Sequence, residues 1–176
     1  MSVAYQGVPG AFSHEACRMF LADEEPVGCA TFAQVIEAVE MGQADFGMLP
    51  RANNSAGTVD EVQQLLDQAR VAIVAEHKLP IRIHLLGLPD GKLEQVRTAV
   101  SHPMALKQCA GSLAALGLEQ QSASNTAAAA QALSDPANAV LASEAAAEAY
   151  GLAVLKRDMH DRDDNETTFV IVARQA

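Results

Sequence analysis

The 176 residues carry 22 acidic and 12 basic side chains, a formal net charge of −10, and 49% of them are hydrophobic. That content can bury a core as one domain or two small lobes. With no basic stripe and no aromatic-rich basic patch, nucleic acid and anionic membrane surfaces are poor partners, and an anion-binding site must gather its few cations locally.

Cys17, Cys29 and Cys109 are odd in number and form no C-x-x-C pair. They read as reduced core thiols of a cytoplasmic protein. No charged n-region with an apolar h-region opens the chain, and no apolar run approaches membrane-spanning length.

Residues 3–7 read as a strand, followed by a Gly/Pro turn and a helix over 13–20. A second strand is expected at 27–30. Thr31 reads as the N-cap of a helix over 32–41, in which Phe32, Val35, Ile36 and Val39 recur at helical spacing. Gly42 closes it, and 45–49 read as a buried strand ending at Pro50. A helix over 58–68 puts Val59, Val62, Leu65 and Leu66 on one face. Two β-rich runs, 71–77 and 81–88, are separated by Lys78-Leu79-Pro80. After a turn at 89–91 come a helical 93–95 and a strand at 98–101. Pro103 stands where a first helical position belongs and opens a helix over 104–115. Alanine-rich helices over 126–133 and 143–150 flank a strand at 139–142, and 169–172 form a final buried strand. The alternation predicts an α/β architecture with largely parallel pairing.

Four segments could carry chemistry. The turn Gly7-Val8-Pro9-Gly10-Ala11-Phe12-Ser13 joins a strand to a helix. It serves either as a plain structural turn or as an anion site of free amides with Ser13 as cap. Ser101-His102-Pro103 precedes a helix start, where the Ser-His pair could donate to a carboxylate or hydroxyl, or could simply be an exposed cap. Asn125-Thr126 is a helix start that can both cap and face a ligand. The stretch from Pro50 to Val59, with Arg51, Asn53 and Asn54, links a buried strand to a helix.

With the terminal Thr167-Thr168-Phe169, these segments resemble, in order, the motifs of the prephenate dehydratase catalytic domain. Gly7 to Ser13 is similar to Gly-x-x-Gly-x-Phe/Tyr-Ser. Residues 101–109 match Ser-His-Pro-x-Ala-Leu-x-Gln-Cys position for position, and 125–129 match Asp/Asn-Thr-x-x-Ala. Residues 50–59 fit Pro-x-Glu-Asn-Ser-x-x-Gly-x-Val without a gap, keeping Asn53, Gly57 and Val59 while Ala52 replaces the glutamate and Asn54 the serine. A one-residue gap would instead put Asn54-Ser55 on the Asn-Ser pair but misplace Gly57. The family tripeptide Thr-Arg-Phe stands here as Thr167-Thr168-Phe169, with Thr168 in the arginine's place.

The resemblance implies two α/β lobes like a type II periplasmic binding protein, with the ligand in the cleft: one lobe of about 1–77 plus 158–176, the other of about 78–157. It implies conversion of prephenate to phenylpyruvate in phenylalanine biosynthesis, with Thr167 as catalytic residue. Ser13, Asn53, Asn54, Ser101, His102, Asn125, Thr126, Thr168 and Phe169 are then expected at the substrate, and Arg51 as a relocated cation for a substrate carboxylate. No metal and no organic cofactor are expected, and a homodimer is. The relatives of different outcome are a prephenate decarboxylase that does not aromatise and a binding module without turnover. No chorismate mutase helix is read before Val3 and no regulatory ACT module after Ala176, so phenylalanine is expected not to act through a regulatory domain of this chain.

Overall fold

Val3, Ala4 and Tyr5 are fully or nearly fully buried, and their apolar run makes Ser2–Gln6 the first strand, β1. In chain order there follow α1 (Phe12–Phe20), β2 (Glu25–Cys29), α2 (Phe32–Glu40), β3 (Phe46–Asn53), β4 (Gly57–Thr58), α3 (Asp60–Gln68) and β5 (Val71–Pro80). Then come β6 (His84–Gly87), a 3-10 turn (Leu93–Gln95), β7 (Thr98–Ser101), α4 (Pro103–Gln108), α5 (Ala110–Leu116) and β8 (Glu119–Ser122). The chain ends with α6 (Thr126–Gln131), β9 (Asn138–Ala142), α7 (Glu144–Tyr150), β10 (Ala153–Lys156) and β11 (Glu166–Arg174). This computed structural model describes residues 1–124 and 126–176. They form two compact units, Met1–Val8 with Phe12–Ile81 and Asp164–Ala176, and Pro9–Ala11 with Arg82–Asp163.

The first unit is built on a sheet of order β2-β1-β3-β11-β5, with β4 paired to β3. β1 runs parallel to β2 and β3, whereas β11 runs antiparallel between β3 and β5. Thr31 caps α2 by accepting from the Gln34 amide, as its sequence position predicts. Val35, Ile36 and Val39 of α2 pack with Ala4, Leu49, Val62, Val170 and Val172 into one apolar cluster. The other face carries α1, whose His14 stacks on Tyr5 and whose Phe20 stacks on His77. The second unit's sheet, β10-β6-β9-β7-β8, is covered by small-residue helices: Ala130, Ala146 and Ala147 pack on Leu86, Val100 and Val140.

Pairing is mixed rather than largely parallel. Besides the β11 ladders, β6 runs antiparallel to β9 and β10, while β7 is parallel to β8 and β9. Of the segment boundaries that differ from the sequence reading, three have a visible cause. β3 does not stop at Pro50 but continues to Asn53, because Pro50 lies opposite Phe169 beside a bulge that relieves the ladder of its missing N–H. Lys78-Leu79-Pro80 is not a break, since β11 pairs β5 without interruption from Pro80 to Glu76. The helix expected over 104–115 is two, α4 and α5, meeting at Cys109.

Candidate active site

In the first unit, β2 and β3 lie on opposite sides of β1, and β3 runs on past the end of β1 at Gln6 as far as Asn53. In open α/β sheets such a switch in strand order opens a crevice at the carboxyl ends, where ligands bind. Thr167 enters β11 at this end, directly opposite Asn53. Strand alternation puts Val170 and Val172 into the cluster under α2, so Thr167, Phe169 and Ile171 face the other side, the side of α1.

Here a polar cluster forms around Asn53. Its Oδ1 accepts from the amides of Ser55 (2.8 Å) and Ala56 (3.1 Å). Two backbone donors on that atom fix the other end of the side chain as Nδ2, a donor of two hydrogens and nothing else. One goes to Asn165 Oδ1 at 2.9 Å and the other to Thr167 Oγ1 at 2.9 Å. The Thr167 oxygen is thus the acceptor in this bond, which leaves its own hydrogen to be donated elsewhere. Asn165 is 4% exposed and was not singled out from sequence. Its signal was there: a polar residue two positions before Thr167 shares that threonine's side of the chain.

Asn54, expected at the substrate, is committed elsewhere. Its Nδ2 donates to the Asp164 carbonyl, its Oδ1 accepts from the Glu166 amide at 2.9 Å, and its own amide donates to the Glu166 carbonyl at 3.1 Å. Both ends of the side chain extend the ladder and hold the start of β11. Arg51 gives its Nη1 to Glu76 Oε2 at 3.0 Å, an ion pair with both side chains about half exposed. Thr168 lies on the α2 side, between Ala52 and Lys78 of the flanking strands. Phe169 is 2% exposed and lies across from His77. Ser13 is buried within the first turn of α1, which already starts at Phe12, so it is not that helix's N-cap.

The second unit holds the remaining residues. Ser101 is fully buried; its hydroxyl donates to the Leu141 carbonyl at 2.9 Å and lies 3.3 Å from Thr126 Oγ1. Thr126 Oγ1 also accepts from the His102 amide at 3.0 Å. His102 is the N-cap of α4: its Nδ1 accepts from the Met104 amide, which leaves the hydrogen on Nε2, and Pro103 takes the first helical position. Ser101, His102 and Thr126 therefore converge, while the expectation for Asn125 lies outside the described residues. The tip of the glycine-rich turn also belongs to this unit. Ser143 Oγ donates to the Gly10 carbonyl (2.7 Å), and Tyr150 Oη to the Pro9 carbonyl (2.6 Å). Gly10 has φ +94°, and a Cβ there would sit 2.8 Å from Ala146 Cα, so backbone and helix meet only because both residues are small.

A prephenate dehydratase profile matches residues 3–176. Arogenate dehydratase 2 of Petunia hybrida is 42% identical over 180 residues, covering 99% of this chain and 45% of its own length. The chain thus spans less than half of that relative. The structure of prephenate dehydratase from Arthrobacter aurescens in complex with L-Phe superposes with a TM-score of 0.87 at 25% identity, over 100% of this chain and 61% of that one. At the level of fold alone, a methionine-bound nutrient binding protein from Burkholderia cenocepacia aligns with a TM-score of 0.52 at 11% identity, over 99% of this chain and 84% of that one. With a family match from the third residue to the last, the chain belongs to the prephenate dehydratase family.

Proposed function

We propose that the protein catalyses the decarboxylating dehydration of prephenate to phenylpyruvate, a step towards L-phenylalanine. The observation that carries this reading is the state of Thr167, whose oxygen is held by Asn53 while its hydrogen is left to give. In the reaction the ring carboxylate leaves as carbon dioxide. The electron pair of the broken C–C bond moves through the ring, and the ring hydroxyl departs from the opposite carbon. Expelled as hydroxide it is a poor leaving group, so a proton delivered by Thr167 as the C–O bond breaks makes it water. The threonine oxygen, transiently charged, keeps the Asn53 hydrogen bond and regains its proton from solvent. The gain of aromaticity supplies the driving force, and the step needs neither metal nor organic cofactor. We place this activity in a cytoplasmic homodimer, checked by sedimentation.

Incubation with prephenate, followed by the absorbance of phenylpyruvate, tests the reading directly. Product supports it. Substrate loss without phenylpyruvate favours a decarboxylase, and saturable binding without turnover a binding module. The Petunia relative's name favours a parallel assay with arogenate, in which the same elimination gives phenylalanine.

A further inference from the structure

We infer that Asn165 is a positioning residue that acts through Asn53 to fix the direction in which the Thr167 hydroxyl points its proton. This rests on the function proposed above for its kinetic consequence, but its geometric core stands on the first unit alone. Asn53 Nδ2 carries two hydrogens, and both are spent, on Asn165 and on Thr167. Asn165 is 4% exposed, so the hydrogen it accepts has little access to water as a substitute. If that acceptor is removed, the Asn53 amide holds one unpaired hydrogen, a costly arrangement that a small rotation of Nδ2 about the Oδ1 end, which the Ser55 and Ala56 amides hold, relieves. Rotation breaks the bond to Thr167. A threonine without this donor turns its own hydrogen inward to the nearest acceptor, and the group needed at the leaving hydroxyl is lost.

Asn165 is well placed to be rigid. Its carbonyl accepts from the Ile81 amide at 2.8 Å, and the residues on either side, Asp164 and Glu166, are held by Asn54. The backbone contacts do not involve the Asn165 side chain, so replacing it leaves the start of β11 anchored.

The experiment compares Asn165→Ala with Asn165→Asp, which keeps an acceptor oxygen at the Oδ1 position. Prephenate turnover and the side-chain amide signals of Asn53 by NMR are measured together. Expected for Asn165→Ala are a kcat lower by about tenfold or more with KM within about twofold, a loss confined to the transition state. The Asn53 Nδ2 proton shifts should move. Asn165→Asp should restore most of kcat and return those shifts. A thermal midpoint followed alongside separates this from a general loss of stability, which Asn165→Asp would not rescue selectively. Unmoved Asn53 signals in Asn165→Ala overturn the inference, whether or not the wild type turns prephenate over. An equal loss of kcat in both variants overturns it as well. Absence of phenylpyruvate from the wild type, with moved and restored signals, sinks the proposed function and leaves the positioning role standing.

Discussion

Thr167 and Thr168 are neighbours in the chain and face opposite sides of one sheet, so only Thr167 joins the Asn53 cluster. Thr167→Ala should lower turnover by about a hundredfold, the span of a positioned proton donor. Thr167→Ser, which keeps the hydroxyl, should recover much of it in the same assay. Thr168 sits directly across from Lys78. An arginine at 168 would therefore place two cations side by side, and like charges opposed across strands cost about 0.2–1 kcal/mol. Thr168→Arg should lower the urea midpoint, and adding Lys78→Ala should return it. A midpoint unchanged in the single variant would show that the two side chains do not meet.

The helices and strands that carry these residues divide by how local their causes are. α2, with its Thr31 cap and apolar stripe, is legible because cap and stripe lie within a dozen residues. β8 was not, since all four of its residues, Glu119 to Ser122, are exposed and polar and pair only along the sheet edge with β7. The break between α4 and α5 has a distant cause. Asp161 accepts from the Gly111 amide at 3.0 Å and the Ser112 amide at 3.3 Å, starting a second helix where periodicity continues the first. The candidate site shows the same division. Ser101, His102 and Thr126 were named from their motifs, whereas the commitment of Asn54 to backbone and the role of Asn165 follow from a strand more than a hundred residues away.

Two tests belong to this scale. Gly10→Ala puts a methyl on a left-handed residue against Ala146 and should cost about 1–3 kcal/mol or more of unfolding free energy by urea denaturation. His84, 3% exposed at the head of β6, accepts from the Asp158 amide through Nδ1 at 3.0 Å. Burial lowers its pKa below the usual 6.5; Asp158 and Glu144 oppose this, and Arg157 and His160 add to it. The unfolded chain then takes up a proton that the folded chain resists. Stability from this residue is whole above pH 6.5 and declines as pH falls below it. His84→Asn, which keeps an acceptor near Nδ1, should flatten the acid side of a melting-point profile.

For the whole molecule, thiol chemistry reports on both units. Burial pushes Cys17 in the first and Cys109 in the second up to about 12, with Asp161 adding to the effect at Cys109. Burial raises Cys29 as well, and it is half-buried where the other two are buried. In native protein a disulfide reagent at neutral pH should titrate Cys29 first and the other two only at the rate of opening, while denaturant releases all three together. Simultaneous reaction without denaturant would contradict the burial of either core.

β11 is also the last of these strands to be synthesised and an interior strand of the first sheet, seated between β3 and β5. Until it emerges from the ribosome, β3 and β5 have no shared neighbour, and each presents an open row of amides and carbonyls while everything between Pro80 and Glu166 is translated. The second unit can complete its own ladders during that interval, but the first waits for its final residues. Nascent chains stalled before Glu166 should therefore expose β3 and β5 to proteolysis and to pairing with other chains. Release of the last strand should close both edges, and with the same stroke assemble Asn53, Asn165 and Thr167.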